Sequence, residues 1–354
     1  MILPGATIGI LGGGQLGRML ASAAAQLGYR CRIYAPEQDS VAAEVSAGFT
    51  CAPWGDRDAL GVFGAKCDVV TLEFENVPVG PLASIAPAKL APPARALEVA
   101  QDRLTEKRFV QELGGQPAAF APVDSPEDLI AAVEQIGAPG ILKTRREGYD
   151  GKGQWRIESL RDAEALNLPQ SALVYEGLVR FSAEFSVILV RGRDGEVRFW
   201  DSPQNVHRGG ILARSTLPAP EAVVEQVPAA RELAGRIAEA LGYVGVMTCE
   251  FFATEAGPVF NEMAPRVHNS GHWTIEGAET SQFENHIRAI CGLPLGDTAT
   301  VAPRVEMENL IGSDIERAEE ILAEGSAHLH LYGKGEARPG RKMGHFTRIR
   351  PRAS

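Results

Sequence analysis

The sequence predicts a mixed α/β and α+β chain of more than one domain, and three observations carry that expectation. An apolar run at Ala6 to Leu11 passes through glycines into a helical pattern and then into a second β-prone run, the order of a βαβ unit. A proline-rich stretch, Ala86 to Ala94 with Pro87, Pro92 and Pro93, then reads as a domain boundary. Far beyond it, VGVMTCEFFATEAGPVFNEM reads as a long antiparallel hairpin, not as another strand-and-helix alternation. With 354 residues, 45% of them hydrophobic, the chain is long enough to bury cores in two or three domains.

Composition narrows the function classes. A net charge of -10 argues against a dedicated nucleic-acid or anionic-membrane surface, so basic groups act locally, as around Arg266 and from Lys334 to Lys342. Five widely spaced cysteines without a C-x-x-C pair predict reduced thiols and a cytoplasmic location. The opening MILPGATIGILGGG lacks the basic segment and long apolar core of a signal peptide, and no apolar stretch reaches the length of a membrane span.

In the first unit, Gly12-Gly13-Gly14-Gln15-Leu16-Gly17 leads into a helix with Leu16, Leu20, Ala23 and Leu27 on one face and Gly28 at its end. Arg30 to Ala35 is the next strand. The glycines match G-x-G-x-x-G, and Glu37 falls where a ribose-binding acid lies in a Rossmann-type dinucleotide fold. An NAD-dependent oxidoreductase is one reading of this unit; a site for another small anion, or tight packing alone, are the others. The strand Asp68 to Leu72 ends in Glu73-Phe74-Glu75-Asn76, which puts acids on the edge where open α/β sheets bind ligands, unless they form only a solvated loop.

Past the boundary, helices at Ala94 to Ala100 and Asp102 to Leu113 carry Arg103, Lys107 and Arg108. A third, around Pro126 to Ile136, precedes a buried-type strand, Pro139 to Thr144, that holds Lys143. The segment from Arg145 to Gln154 is punctuated by Gly148, Gly151 and Gly153. Such glycines let backbone N–H groups close over phosphates while the loop stays mobile enough to admit a nucleotide. G-K-[ST] is absent, so this is no P-loop, and a plain hairpin turn fits the concentration of glycine and basic side chains less well.

The hairpin pairs Val244 to Phe252 with Pro258 to Met263 through a loop ending in Gly257, and sets Glu250 nearly opposite Glu262. Facing carboxylates repel, which raises one pKa unless a cation lies between them. Hard oxygen donors suit Mg²⁺, which takes one or two carboxylates and completes its shell with phosphates. A solvated pair on an exposed face is the alternative. Arg266, His268, Asn269 and His272 follow directly, a cluster able to bind anions, so the stretch suggests a polyphosphate and a second anion held together.

Six segments carry a wider likeness: GGGQLGRM at Gly12 to Met19, DRLTEK at Asp102 to Lys107, GYDGKGQW at Gly148 to Trp155, FSAEFS at Phe181 to Ser186, NEMAPRVHNSGHW at Asn261 to Trp273, and RPGRKMGH at Arg338 to His345. Through these the chain resembles the ATP-grasp superfamily and, within it, the N5-carboxyaminoimidazole ribonucleotide synthetases of purine biosynthesis, over nearly its whole length. The resemblance implies an ATP-grasp fold over residues 101–295, with a lid loop at 148–154 and a hinge at 176–179. A Rossmann-like domain over 1–100 would precede it and a small C-terminal domain over 296–354 would follow. That last domain is shorter than the family leads one to expect, since the chain stops nine positions after His345 (354 minus 345).

By the same resemblance, Arg103 and Lys143 would bind the phosphates of ATP under a lid of Gly148, Tyr149, Asp150, Gly151, Lys152, Gly153 and Gln154. Glu176, Gly177, Leu178 and Val179 would read adenine, Glu184 the ribose, and His207 would lie nearby. Glu250 and Glu262 would hold Mg²⁺, with Asn261 adjacent. Arg266, His268 and Asn269 would bind bicarbonate and act in catalysis with Tyr149 and Asp150. Glu73, Tyr149, Asp150 and Lys152 would hold 5-aminoimidazole ribonucleotide beside Gln15 and Leu16, and Lys334 and Arg341 would meet its phosphate. Lys152 stands where the family often has arginine, keeping the charge but losing the bidentate fork. The resemblance also implies carboxyphosphate chemistry and a homodimer. It leaves His268, Asp150 and the departing phosphate all open as acceptor of the amine proton. Formate-dependent glycinamide ribonucleotide transformylase, biotin carboxylase, the NAD-dependent oxidoreductase and a nucleotide-binding regulatory module are the competing readings.

Overall fold

Thr7–Leu11 is buried along four of its five residues, as a parallel strand covered on both faces must be. It pairs in parallel with Arg30–Ala35 on one side and Val69–Leu72 on the other, and Gly48–Cys51 completes the sheet beyond Arg30–Ala35. The helix Gln15–Gln26 packs Leu16, Leu20 and Ala24 into this core. The computed structural model describes residues 1–148 and 153–350. Among them, no helix is long and apolar enough to cross a membrane.

The predicted helices appear as Ala94–Ala100 and Arg103–Glu112. Asp102 caps the second, its carboxylate accepting from the amides of Leu104 and Thr105 at 3.1 and 3.0 Å. A four-stranded antiparallel sheet follows, in the order Phe120–Val123, Leu173–Gly177, Gly140–Thr144, Gln154–Ile157. Its apolar face closes on the helix Pro126–Ile136 through Val123, Leu129, Leu142 and Tyr175.

A third sheet of nine strands carries the acidic hairpin at one edge, Gly257–Ala264 beside Gly245–Thr254 and Ala183–Arg191. Behind it Phe185 stacks on Phe251 with ring centroids 5.4 Å apart, and Phe260 meets Phe251 edge to face at 5.8 Å. All three are fully buried, and truncating any of them to alanine costs about 3–5 kcal/mol. From Ala183–Arg191 the sheet continues through Gln204–Arg208 and Ile211–Leu217 into Arg304–Ile311, Lys342–Arg350 and Ala327–Leu331. The C-terminal strands thus extend this sheet and form none of their own. The register Thr216 to Glu306 hides what would be an unpaired edge, and Leu217, Val305 and Met307 share one core.

Candidate active site

Glu250 lies directly opposite Glu262 in the hairpin register, and a β-bulge follows immediately after Glu250. Both carboxyl groups line a cavity of about 380 Å³ between the nine-stranded sheet, the antiparallel sheet and the helix Arg103–Glu112. Burial, and then the charge of Glu262, push Glu250 up to about 7. That is the behaviour expected of two acids with no cation between them, and the oxygen donors fit Mg²⁺. Among the described residues no group of three or more His, Cys, Asp or Glu side chains could hold a metal, so substrate phosphates would have to complete the shell. His207 pairs with Glu184 beside the acids. Burial works against the His207 charge, but the hydrogen bond to Glu184 and the charge of Glu250 outweigh it and raise its pKa.

The opposite wall is basic. Arg103 donates from Nη1 to Glu262 at 3.1 Å and from Nη2 to the carbonyl of Gly148 at 2.9 Å, tying the helix both to an acid and to the start of the glycine loop. Gln154 and Gly148 line the cavity, while Tyr149, Asp150, Gly151 and Lys152 lie outside the described residues. Gly153 takes φ +68°, which glycine adopts without strain. Lys143 and Lys107 converge on Glu176 Oε2 at 2.9 and 3.2 Å. Burial opposes the Glu176 charge, yet the two lysines bring its pKa down to about 2. Burial likewise lowers Lys143, against the pull of Glu176. Glu176 Oε2 is therefore committed to the two lysines, while Oε1 is buried without a partner. Gly177, Leu178 and Val179 line a separate surface depression with Ile136 and Pro139. Asn261 lines the main cavity and gives its carbonyl to Lys107 at 3.4 Å.

Arg266 enters from just past the hairpin and forms a fork-to-fork pair with Glu75 of the first domain: Nε meets Oε2, and Nη2 donates to Oε1 at 2.8 Å. Burial opposes both charges and each partner outweighs it, so Glu75 is lowered and Arg266 raised. His268 Nε2 sits 3.6 Å from Glu250 Oε1. Burial, then Arg266 and Lys342, hold its imidazole well below the usual range. Asn269 is buried with neither side-chain amide atom partnered. His272 is not part of this anion cluster. Its ring is buried between Phe283 and His345, with centroids 5.6 and 4.6 Å away, because the short 3₁₀ turn Asn269–Gly271 rotates it inward.

A second cavity of about 240 Å³ opens at the glycine loop, where Gly12, Gly14, Glu73, Lys334 and Arg341 meet. Glu73 accepts from the Gly14 amide at 2.8 Å and the Gly17 amide at 3.2 Å. The amides that a dinucleotide pyrophosphate would need are therefore already committed, which tells against the oxidoreductase reading although Glu37 lines the same cavity. Lys334 donates to the Lys342 carbonyl at 2.8 Å and Arg341 to the Glu336 carbonyl at 2.9 Å, which fixes both heads at the rim. Leu16 is buried in the core, and Gln15, half-buried at the helix start, lines neither cavity.

Three contributors to the main cavity and its basic wall have no assigned role in the sequence reading, Glu106, Lys107 and Lys342, and Glu75 figures there only as an acid on the ligand edge of the first sheet. Glu106 and Lys107 follow Arg103 at helical spacing, a signal that places all three on one face. Burial drives Glu106 up to about 8 although it accepts from the Met263 amide at 2.7 Å. No local signal pairs Glu75 with Arg266 or carries Lys342 into the main cavity.

Comparison with known proteins agrees with this geometry. The ATP-grasp domain family matches residues 108–283, the ribonucleotide synthetase preATP-grasp domain family residues 5–101, and the phosphoribosylaminoimidazole carboxylase C-terminal domain family residues 306–354. The N5-carboxyaminoimidazole ribonucleotide synthase of Brucella melitensis biotype 1 is 52% identical, over 99% of this chain and 98% of that protein. The crystal structure of N5-carboxyaminoimidazole ribonucleotide synthetase from Thermus thermophilus superposes with a TM-score of 0.89 at 50% identity, over 97% of this chain and 93% of that one. The synthase from Aspergillus clavatus, solved in complex with ADP and 5-aminoimidazole ribonucleotide, superposes with a TM-score of 0.88 at 31% identity, over 98% of this chain and 94% of that one. The chain belongs to the ATP-grasp family of N5-carboxyaminoimidazole ribonucleotide synthases.

Proposed function

We propose that this chain is an ATP-dependent ligase of purine biosynthesis that joins bicarbonate to the exocyclic amine of 5-aminoimidazole ribonucleotide and releases ADP and phosphate. The observation that carries this reading is one cavity in which Glu250 and Glu262 face Arg103 and Lys143, with the Glu75–Arg266 pair on its wall. A second cavity, bordered by Glu73, Lys334 and Arg341, suits a phosphomonoester. A relative that binds ADP and 5-aminoimidazole ribonucleotide together supports it.

Arg103 and Lys143 hold the triphosphate, and Glu250 and Glu262 hold Mg²⁺. When bound, Mg²⁺ neutralises charge that develops on the transferring phosphoryl group. A bicarbonate oxygen kept by Arg266, His268 and Asn269 attacks the γ-phosphorus, the bond to the ADP oxygen breaks, and carboxyphosphate forms. The amine nitrogen then attacks the carboxyl carbon directly or after release of CO₂. The C–O bond to phosphate breaks and the amine loses a proton. The Arg266 and His268 side chains, 14% and 15% exposed, leave water little access to the intermediate. Lys334 and Arg341 neutralise the phosphate of the ribonucleotide while Glu73 borders its base or ribose.

We further read the protein as a cytoplasmic homodimer; its five free thiols suit a reducing compartment. The test is ATP-dependent phosphate release. Stimulation by aminoimidazole ribonucleotide with bicarbonate is expected. Stimulation instead by glycinamide ribonucleotide with formate, or by biotin, would overturn the assignment.

A further inference from the structure

Behind His268 a line of buried polar groups crosses the nine-stranded sheet, and no step above uses it. Ser215 Oγ donates to Asn205 Oδ1 at 2.7 Å, Asn205 Nδ2 to Ser186 Oγ at 3.1 Å, and Ser186 Oγ to Ser270 Oγ at 2.8 Å. Ser270 Oγ lies 2.8 Å from His268 Nδ1. All four residues are between 0% and 4% exposed, so no water competes for these bonds. Strand register sets the spacing, since Ser215 pairs with Asn205 and Ser186 with Glu250.

The direction of the line follows from one bond. The backbone N–H of Ser270, which can only donate, reaches His268 Nδ1 at 3.3 Å. Nδ1 is therefore an acceptor, and the Ser270 hydroxyl must donate to it as well. That hydroxyl then accepts from Ser186, which accepts from the NH₂ of Asn205, leaving Asn205 Oδ1 for Ser215. A neutral imidazole whose Nδ1 accepts carries its proton on Nε2, the nitrogen that faces Glu250 across the cavity wall.

We propose that Ser215, Asn205, Ser186 and Ser270 form an oriented hydrogen-bond relay that fixes His268 as the Nε2–H tautomer, so that His268 offers the bicarbonate and carboxyphosphate oxygens a proton donor and is not the base for the amine. The catalytic part of this inference rests on the carboxylation reading; the tautomer does not. The four relay members are positioning residues that act through His268. With no lone pair of His268 left facing the cavity, the amine proton goes to another acceptor, and the departing phosphate oxygen is available in the same step.

The experiment is a long-range ¹H–¹⁵N spectrum of protein labelled at its seven histidines, with His268→Asn used to identify the signal. The expected pattern at neutral pH is a protonated Nε2 and a bare Nδ1. Asn205→Asp removes the NH₂ donor and supplies acceptors only. The relay then reverses, the population moves toward Nδ1–H, and kcat falls about 10²-fold, the effect of losing one preorganised donor, with KM for ATP unchanged. Ser186→Ala cuts the line without adding charge and is expected to give a mixture of tautomers, which keeps the test open if the aspartate variant does not fold. An Nδ1–H signal in the unmodified protein, or full retention of Nε2–H and kcat in both variants, overturns the relay. An Nε2–H signal in a protein whose ATP turnover ignores aminoimidazole ribonucleotide would overturn the reaction reading and leave the relay standing.

Discussion

Glu73 sets its carboxylate 2.8 Å from the amide nitrogen of Gly14, so the glycine loop at the first helix grips an acid of its own chain. Burial raises the Glu73 pKa, and the Gly14 and Gly17 amides pull it back. The glycines are needed because the backbone passes so close to that side chain: a Cβ at Gly12 would stand 2.5 Å from Glu73 Cγ, and Gly12 also has φ +115°.

Gly12→Ala is therefore expected to destabilise the protein by about 1–3 kcal/mol from backbone strain alone, and to raise KM for aminoimidazole ribonucleotide by displacing Glu73. Urea denaturation and steady-state kinetics measure the two effects. An alanine variant that matches the parent in both would show that the loop has room the geometry denies it.

Arg266 and Glu75 lead to a second prediction. Arg266→Lys keeps the charge but loses the fork that meets Glu75 through two hydrogen bonds. Loss of one charge-assisted bond to Glu75, about 1.5–3 kcal/mol, loosens the placement of the cation, and a roughly tenfold rise in KM for bicarbonate is expected. KM for ATP should stay within about twofold, because Lys143 and Arg103 remain in place. Equal changes in both constants would mean that Arg266 serves the nucleotide and not the second anion.

The acid pair predicts a pH effect. Glu250 is raised from 4.5 to about 7, so from pH 4.5 to 7 the free protein holds a proton that a cation must displace. Affinity for Mg²⁺ with ATP should fall as pH drops below about 7, by up to about tenfold per unit, with a proton released on binding. Calorimetry in buffers of different ionisation enthalpy counts that proton. Glu262→Ala should abolish turnover with the fold intact, and turnover that persists would remove the metal assignment.

How much of this was legible in the sequence depended on distance along the chain. The hairpin, Glu250 opposite Glu262, the first βαβ unit and the helices on either side of Asp102 rest on local periodicity and turn chemistry, which a sequence displays directly. The Glu75–Arg266 pair joins residues 191 positions apart and leaves no local pattern. The resemblance implies that Lys143 binds phosphate, but its partner Glu176 comes from a neighbouring strand whose alignment only the folded sheet reveals. His272 resembles its neighbours in type, and only the 3₁₀ turn before it turns its ring into the core. That the C-terminal strands continue the nine-stranded sheet was not legible, because strand pairing over a long sequence separation, as between Thr216 and Glu306, has no signature in composition.

Glu176 supplies the last prediction. Its folded pKa is depressed from 4.5 to about 2 by Lys107 and Lys143 against the effect of burial. A depressed acid contributes stability that is fully present above its unfolded value, near 4.5, and is lost as pH falls through the folded value, near 2. The depression is worth on the order of 3 kcal/mol at neutral pH. Glu176→Gln removes it and leaves two buried lysines without a counter-charge, so a loss of about 3–5 kcal/mol is expected near pH 7. The difference from the parent should narrow as pH falls from about 4.5 toward 2, because protonation then removes the same charge from the parent. Urea midpoints recorded at intervals across that range decide the matter: a gap that stays constant with pH would mean the three side chains are not coupled as their distances indicate.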